Sequence, residues 1–298
     1  MKKNLFITGG HGQDGIILTD ILLKRGEYKL NIITNKKKFK KKKKINYYIN
    51  NLQDSLAIQK IFLKNKPDII IHLACKNPSF NQRGYNKFYK ENIIITKNIV
   101  DESYQSNNKI RFIFPNSSQI FKKKYGIVNE FSKYKISTSY TRFRIEMNNY
   151  IKNKIKNYTN IILFNHDSIF RNKKFLIPRV VEYLKNKNYR QLKKIIKSNI
   201  SGDFSHAEDI CYAVYKIIDK KNIKNVIISS GQSTNVNQII FYLIKKFNIN
   251  IDTNFNCKKK SDSKKILGDN TLLKKVINYK PQKNIFIAAE ELFIQKKL

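Results

Sequence analysis

Tyr140 and Arg144 stand four residues apart in Tyr140–Ile155, a stretch of helical periodicity, so their side chains share one helix face. A cation beside a phenol favours the phenolate, the form that can take a proton from a substrate hydroxyl. A second feature lies near the start, where residues 4–18 read NLFITGGHGQDGIIL. A short apolar run, a glycine-rich turn and an apolar-periodic stretch through Leu22 and Leu23 follow one another there. That order is what a dinucleotide-binding βαβ unit requires. Gly9 and Gly10 permit a tight turn, Gly12 leaves backbone open to a pyrophosphate, and Gly15 lets the helix approach the strand. The phosphates would rest on the N–H groups at the helix N-terminus. Ser117 and Ser118 follow the strand candidate Arg111–Pro115, at the strand end where open α/β sheets hold their ligands.

The elements that must position these residues alternate. Lys29–Thr34 predicts a second strand, Asp54–Lys64 a helix with Asp54 and Ser55 as capping candidates, and Asp68–Leu73 a buried strand. His72 in that apolar run reads as a core histidine, and Ala74 beyond it is small enough for a cofactor to pass. Asn86–Gln105 predicts a long helix, Asn160–Phe164 and Val226–Ile228 strands, and Phe175–Lys185, His206–Ile218 and Asn237–Phe247 helices. Strand and helix in turn through the first half imply an α/β fold, a Rossmann-type doubly wound parallel sheet. We expect residues 1–164 to form the dinucleotide-binding domain. Residues 165–298 should form mainly a smaller, interleaved substrate-binding lobe, with segments near 203–230 returning to the first domain.

After the second strand a carboxylate would hold the adenosine ribose of NAD. Asn35, Lys36, Lys37 and Lys38 stand there instead, and ammonium groups attract a 2′-phosphate, so this stretch predicts NADP. The 298 residues carry a formal net charge of +39, from 60 Lys and Arg against 21 Asp and Glu. Lys, Asn and Ile are enriched together along the whole chain, which points to compositional bias rather than a nucleic-acid site. No zinc finger, RNA-recognition or helix-turn-helix pattern is present. Nonspecific polyanion binding at low salt is the expected consequence. No apolar run reaches the length of a membrane span. Cys75, Cys211 and Cys257 lie far apart without metal-ligand spacing. They read as reduced thiols of a cytoplasmic protein.

With these stretches in hand, the chain resembles the GDP-mannose 4,6-dehydratases of the extended short-chain dehydrogenase/reductase superfamily. Thr8–Gly9–Gly10–His11–Gly12–Gln13–Asp14–Gly15 is similar to the family's TGxxGQDG, and Asn51–Leu52–Gln53–Asp54–Ser55 to its GDLxDS. His72–Leu73–Ala74 resembles an NLA segment beside the cofactor, and Pro78–Ser79–Phe80 the SF that follows it. Leu163–Phe164–Asn165–His166–Asp167–Ser168 is close to LFNHES, and Asp203–Phe204–Ser205–His206–Ala207–Glu208–Asp209 to DWGHAxD. Leu267–Gly268–Asp269 and Tyr279–Lys280–Pro281 resemble LGD and WKP.

The resemblance implies a cofactor set of Thr8, Gly9, Gly12, Gln13, Asp14, Gly15, Asn35, Lys36, Asn51, Leu52, Leu73, Ala74, Tyr140, Arg144 and His166. It implies Asn165, Lys259 and Asp262 for a GDP-sugar, and a homodimer or homotetramer. In the family's reaction hydride leaves carbon 4 of the hexose while a tyrosine takes the hydroxyl proton. A glutamate then takes the carbon 5 proton as water leaves carbon 6, and the hydride returns there. Tyr140 falls on that tyrosine and Ser117 on its hydroxyl partner. Four positions depart from the pattern: Gln119 replaces the glutamate, Arg144 the lysine, Gly202 an arginine before Asp203, and Lys259 a nucleotide-binding arginine. Gln119 cannot accept a proton, and arginine for lysine is not conservative where one donor bridges two groups. Three functions stay open: a GDP-mannose 4,6-dehydratase, a nucleotide-sugar 4-keto reductase or epimerase, and a catalytically inactive relative.

Overall fold

The computed structural model describes residues 1–77, 86–250 and 265–295. In chain order the strands are β1 (Asn4–Thr8), β2 (Lys29–Thr34), β3 (Ile45–Ile49), β4 (Ile69–His72), β5 (Arg111–Ser117), β6 (Gly126–Val128), β7 (Tyr158–Leu163), β8 (Asn165–Asp167), β9 (Ser201–His206), β10 (Asn225–Ile228), β11 (Ser233–Asn235) and β12 (Ile266–Gly268). The helices are α1 (Gln13–Arg25), α2 (Ser55–Asn65), α3 (Asn86–Ser106), α4 (Ser139–Lys154), α5 (Leu176–Lys185), α6 (Tyr189–Ser198), α7 (Ala207–Ile217), α8 (Val236–Lys246), α9 (Thr271–Ile277) and α10 (Ile285–Ile294).

Seven strands form one sheet in the order β10-β7-β5-β4-β1-β2-β3. β1 pairs parallel with β2 on one side and with β4 on the other, Phe6 lying beside Asn31 and Ile70. The strand order therefore reverses at β1, the switch point where doubly wound sheets open a crevice for ligand. The predicted Rossmann-type sheet is present.

Two compact units divide the chain. The first comprises Met1–Ile120, Tyr134–Ile162 and Cys211–Val226. Its core gathers Phe6, Phe62, Phe112, Phe114, Phe143 and Met147 with the aliphatic faces of α2, α3 and α4. Phe6 and Phe62 meet edge to face with centroids 5.4 Å apart. Each such buried side chain contributes about 2–3 kcal/mol. Asp54 caps α2, its carboxylate accepting from the Ala57 N–H at 3.0 Å.

The second unit comprises Phe121–Lys133, Leu163–Ile210 and Ile227–Leu298. It holds a three-stranded sheet, β11-β9-β8, and the parallel pair β12-β6. Apolar faces of α5, α6, α8 and α10 pack into its core. Several of these elements have no hydrophobic signature. β8 reads NHD and β9 reads SGDFSH, polar strands that are nonetheless mostly buried. Asp203 explains why β9 tolerates this: its carboxylate accepts from Ser230 N (2.9 Å), Ser230 Oγ (2.6 Å), Gly231 N (3.0 Å) and Gly268 N (3.2 Å). Burial pushes that carboxyl above its ordinary value, and these hydrogen bonds pull it part of the way back. His206 ends β9 rather than opening the following helix, and its Nδ1 accepts from the Glu208 N–H at 3.1 Å. α6, basic along its polar face, buries Leu192, Ile195 and Ile196 at helical spacing.

Candidate functional site

The glycine turn joins β1 to α1. Gly9 has φ +73°, and a Cβ there would stand 2.7 Å from the Ala74 nitrogen. A Cβ on Gly15 would stand 2.3 Å from the Gly9 oxygen and 2.6 Å from the Gly10 Cα. Turn, helix and the β4 exit are therefore in backbone contact, with no room for side chains. Gly12 differs: a Cβ would meet only the Gly9 oxygen, at 3.4 Å. Gly12 is also the N-cap of α1, and no side chain caps it. The first-turn N–H groups of α1 thus lie behind a bare backbone, a cradle that fits a pyrophosphate. Asp14 sits in that first turn, accepting from Gln13 Nε2 at 3.0 Å.

Thr8 ends β1 beneath this turn. Its Oγ1 accepts from the Ala74 N–H at 3.1 Å and pairs with His72 Nδ1 at 2.8 Å. His72 Nε2 reaches Thr96 Oγ1 on α3 at 3.0 Å. The imidazole is 1% exposed, as expected of a core histidine. Burial, and then the nearby Arg144 charge, lowers its pKa from 6.5 to about 3. It is therefore neutral in the native state at physiological pH. Between those values the unfolded chain binds a proton that the folded chain refuses. The stability His72 confers is thus complete above about pH 6.5 and is lost as pH falls toward 3. The slope reaches about 1.4 kcal/mol per pH unit. A His72→Asn variant is expected to show a flatter acid limb in urea unfolding measured across this window. An equally steep limb in the variant would contradict the assignment.

At the end of β2, Thr34 Oγ1 pairs with His11 Nδ1 at 3.0 Å and accepts from the Lys36 N–H at 3.1 Å. Asn35, Lys36, Lys37 and Lys38 are all exposed. Phe39 folds back, its ring centroid 4.3 Å from that of His11 and 4.9 Å from that of Tyr47. Burial, then the Lys36 charge, lowers the pKa of His11. Of the other sequence-predicted positions, Asn51 is exposed and accepts from the Gln53 N–H through Oδ1. Leu52 is buried, its carbonyl accepting from Asn98 Nδ2 at 3.0 Å. The Leu73 N–H donates to the Thr8 carbonyl at 3.2 Å.

Ser117 closes β5, and its Oγ accepts from the Gln119 backbone N–H at 3.3 Å. Gln119 itself is exposed. On α4, capped by Thr138, Tyr140 and Arg144 do share a face. The Arg144 Cζ lies 5.2 Å from the Tyr140 ring centroid. Arg144 is 4% exposed. Its Nη1 donates to the Pro115 carbonyl at 2.5 Å and Nη2 to Asn77 Oδ1 at 3.1 Å. Arg144 is thus a fixed cation, held by the end of β5 and by Asn77. The sequence offered no signal for Asn77 or Thr96, whose roles depend on contacts 67 and 24 residues away. Glu130, the carboxylate nearest in sequence to Gln119, accepts from the Ile227 N–H at 2.9 Å and so has a structural partner.

Asn165 and His166 belong to the second unit, on β8. Asn165 is exposed, while buried His166 donates from Nδ1 to the Phe164 carbonyl at 2.7 Å. In the same unit His206, Glu208 and Glu291 bring ligand-type atoms within 4.8 Å of one another. The Lys283 ammonium already pairs with both carboxylates of this cluster, 2.8 Å from Glu208 and 2.9 Å from Glu291. Lys259, Asp262, Cys257 and Pro78–Phe80 lie outside the described residues. No helix among the described residues is long and apolar enough to cross a membrane.

Sheet order, switch point and glycine cradle define a doubly wound dinucleotide-type α/β protein. Residues 5–230 match the profile of the NAD dependent epimerase/dehydratase family, and the chain belongs to that family. Among curated relatives it is 25% identical over 268 residues to the GDP-mannose 4,6 dehydratase 2 of Caenorhabditis elegans, covering 80% of this chain and 69% of that one. Its fold matches the UDP-glucuronic acid 4-epimerase of Bacillus cereus in complex with NAD, with TM-score 0.79 and 15% identity over 97% of this chain and 96% of that one. It also matches the dTDP-glucose 4,6-dehydratase of Bacillus anthracis in complex with NAD, with TM-score 0.78 and 13% identity over 98% and 96%.

These findings overturn the expectation of NADP. The family is described as NAD dependent, and both of these solved structures hold NAD. The lysines that suggested a 2′-phosphate face solvent, as most do in a chain this rich in lysine. Their presence after β2 follows from composition rather than from a phosphate pocket.

Proposed function

We propose that the chain is a nucleotide-sugar modifying enzyme whose chemistry begins with oxidation at carbon 4 of a hexose, with NAD as the dinucleotide. The observation that carries this reading is the Tyr140–Arg144 pair beside the end of β5, the strand that also carries Ser117. NAD, when bound, supplies a hydride acceptor that can return what it takes. Gly9, Gly12 and Gly15 would seat its pyrophosphate on the N-terminus of α1. Tyr140 would take the proton of the reacting hydroxyl, Ser117 would orient that hydroxyl, and Arg144 would steady the phenolate by charge. With both terminal nitrogens engaged by protein, Arg144 would act through its field more than by bridging ribose hydroxyls.

The likeness to GDP-mannose 4,6 dehydratases favours a GDP-hexose as substrate and GDP-mannose as the first to test. Gln119 favours a second reading, in which the chain stops at hydride exchange. An amide cannot take the carbon 5 proton, so epimerisation or 4-keto reduction needs nothing this chain lacks. Mass spectrometry of GDP-mannose incubated with the purified protein and NAD separates the two. Loss of one water would establish dehydration and require a base other than Gln119. Unchanged mass, with turnover of a 4-keto nucleotide sugar in the presence of reduced NAD, would establish the second reading. A Gln119→Glu variant is expected to gain dehydration over the parent chain by about a hundredfold or more, the usual contribution of a placed acid/base.

A further inference from the structure

The buried imidazole of His72 is more than filling in the core of the first unit. Three elements of the first unit meet at it, and two of them border the glycine turn. Through Thr8 it reaches the last residue of β1, from which the glycine turn departs, and through the same hydroxyl it reaches the Ala74 N–H at the exit of β4. Its other nitrogen reaches Thr96 on α3. Its ring also stacks on Phe114 of β5, with centroids 6.3 Å apart and planes 13° apart, and Phe114 contacts the Arg144 guanidinium 5.7 Å from its own centroid.

Either tautomer ties the ring to both threonines, one hydroxyl donating to the bare nitrogen and the other accepting from the protonated one. The Thr8 oxygen that the ring engages is also the one that holds the Ala74 N–H. This matters because Ala74 backs directly onto Gly9, and a methyl group on Gly9 would fall 2.7 Å from the Ala74 nitrogen. A shift of the β4 exit displaces the turn itself.

Resting on the reading that the glycine turn holds NAD, we propose that His72 is a positioning residue that sets the glycine turn against the β4 exit for dinucleotide binding. Phe at this position keeps ring and bulk but removes both hydrogen bonds. Asn supplies an acceptor and a donor on a shorter side chain.

The test is isothermal titration of NAD into full-length wild-type, His72→Phe and His72→Asn proteins, with thermal melts alongside. His72→Phe is expected to bind NAD about tenfold more weakly than wild type at a temperature where both are folded, and His72→Asn to recover most of the loss. A merely structural histidine would lower the melting temperature and leave the affinity of the folded protein unchanged. An affinity of His72→Phe within twofold of wild type therefore overturns the proposal. A wild-type protein that fails to bind NAD overturns instead the reading beneath it. Should His72→Phe not fold, Thr96→Val, which keeps the bulk on α3 and removes the bond to His72 Nε2, is titrated in its place. Weaker NAD binding by the folded variant is expected, and an affinity within twofold of wild type overturns the proposal.

Discussion

Tyr140→Phe is expected to bind NAD as the wild-type chain does and to lose nucleotide-sugar oxidation by about a hundredfold to ten-thousandfold, the range a placed acid/base contributes. The change removes one oxygen from a partly buried side chain at the start of α4. The aromatic ring stays, and with it the contact 5.2 Å from the Arg144 Cζ. Arg144 keeps its bonds to Pro115 and Asn77, so the local frame survives without the hydroxyl. Melting temperature and NAD affinity should therefore stay close to wild type while turnover falls. Retained turnover in the variant would remove Tyr140 from the chemistry and leave its pairing with Arg144 a packing feature.

Gly15→Val is expected to abolish NAD binding and to destabilise the first unit. The atoms that a Cβ would strike are backbone, the Gly9 oxygen at 2.3 Å and the Gly10 Cα at 2.6 Å, so no side chain can rotate away. Either α1 withdraws from the turn or the turn opens. Overpacking of this kind costs about 1–3 kcal/mol or more. The cradle behind Gly12 is lost in both cases. Gly26→Ala is the control. Gly26, the C-cap of α1, has a positive φ, +66°, which Gly15 does not, and nothing lies within 4 Å of its added methyl group. It should cost about 1–2 kcal/mol of stability without changing NAD affinity. Equal loss of affinity in both variants, read by titration, would show that α1 stability rather than the turn governs binding.

The first unit was legible because its signals are local. β1, β2 and β4 are runs of apolar residues bounded by turn residues, and the glycines follow immediately on β1. β3 escaped because its INYYI sequence directly follows a lysine run that reads as loop. In the second unit the hydrophobic period marks helices such as α5 and α8 but fails at the short strands. β8 and β9 owe their places to buried polar partners such as Asp203, and a pattern of apolar spacing cannot register a carboxylate satisfied by residues 27 and 65 positions away. At the candidate site the sequence identified the Tyr140–Arg144 spacing and the glycine turn. It could not show that Pro115 and Asn77 would take both terminal nitrogens of Arg144, nor that Thr8 and Thr96 would use both nitrogens of His72. It also gave weight to lysines after β2 whose charge meets solvent. A cofactor inference from residue type alone fails where one residue type is abundant everywhere.

The most direct test of the account is rapid mixing of the NAD-loaded protein with GDP-mannose and a panel of other nucleotide hexoses, following absorbance of the reduced nicotinamide. The account predicts a transient rise with at least one nucleotide sugar, absent in Tyr140→Phe, because dehydration and 4-epimerisation both start by moving hydride from carbon 4. Firm NAD binding with no reduction by any sugar of the panel would contradict it, leaving reduction of a 4-keto sugar by reduced NAD, or dinucleotide binding without this chemistry.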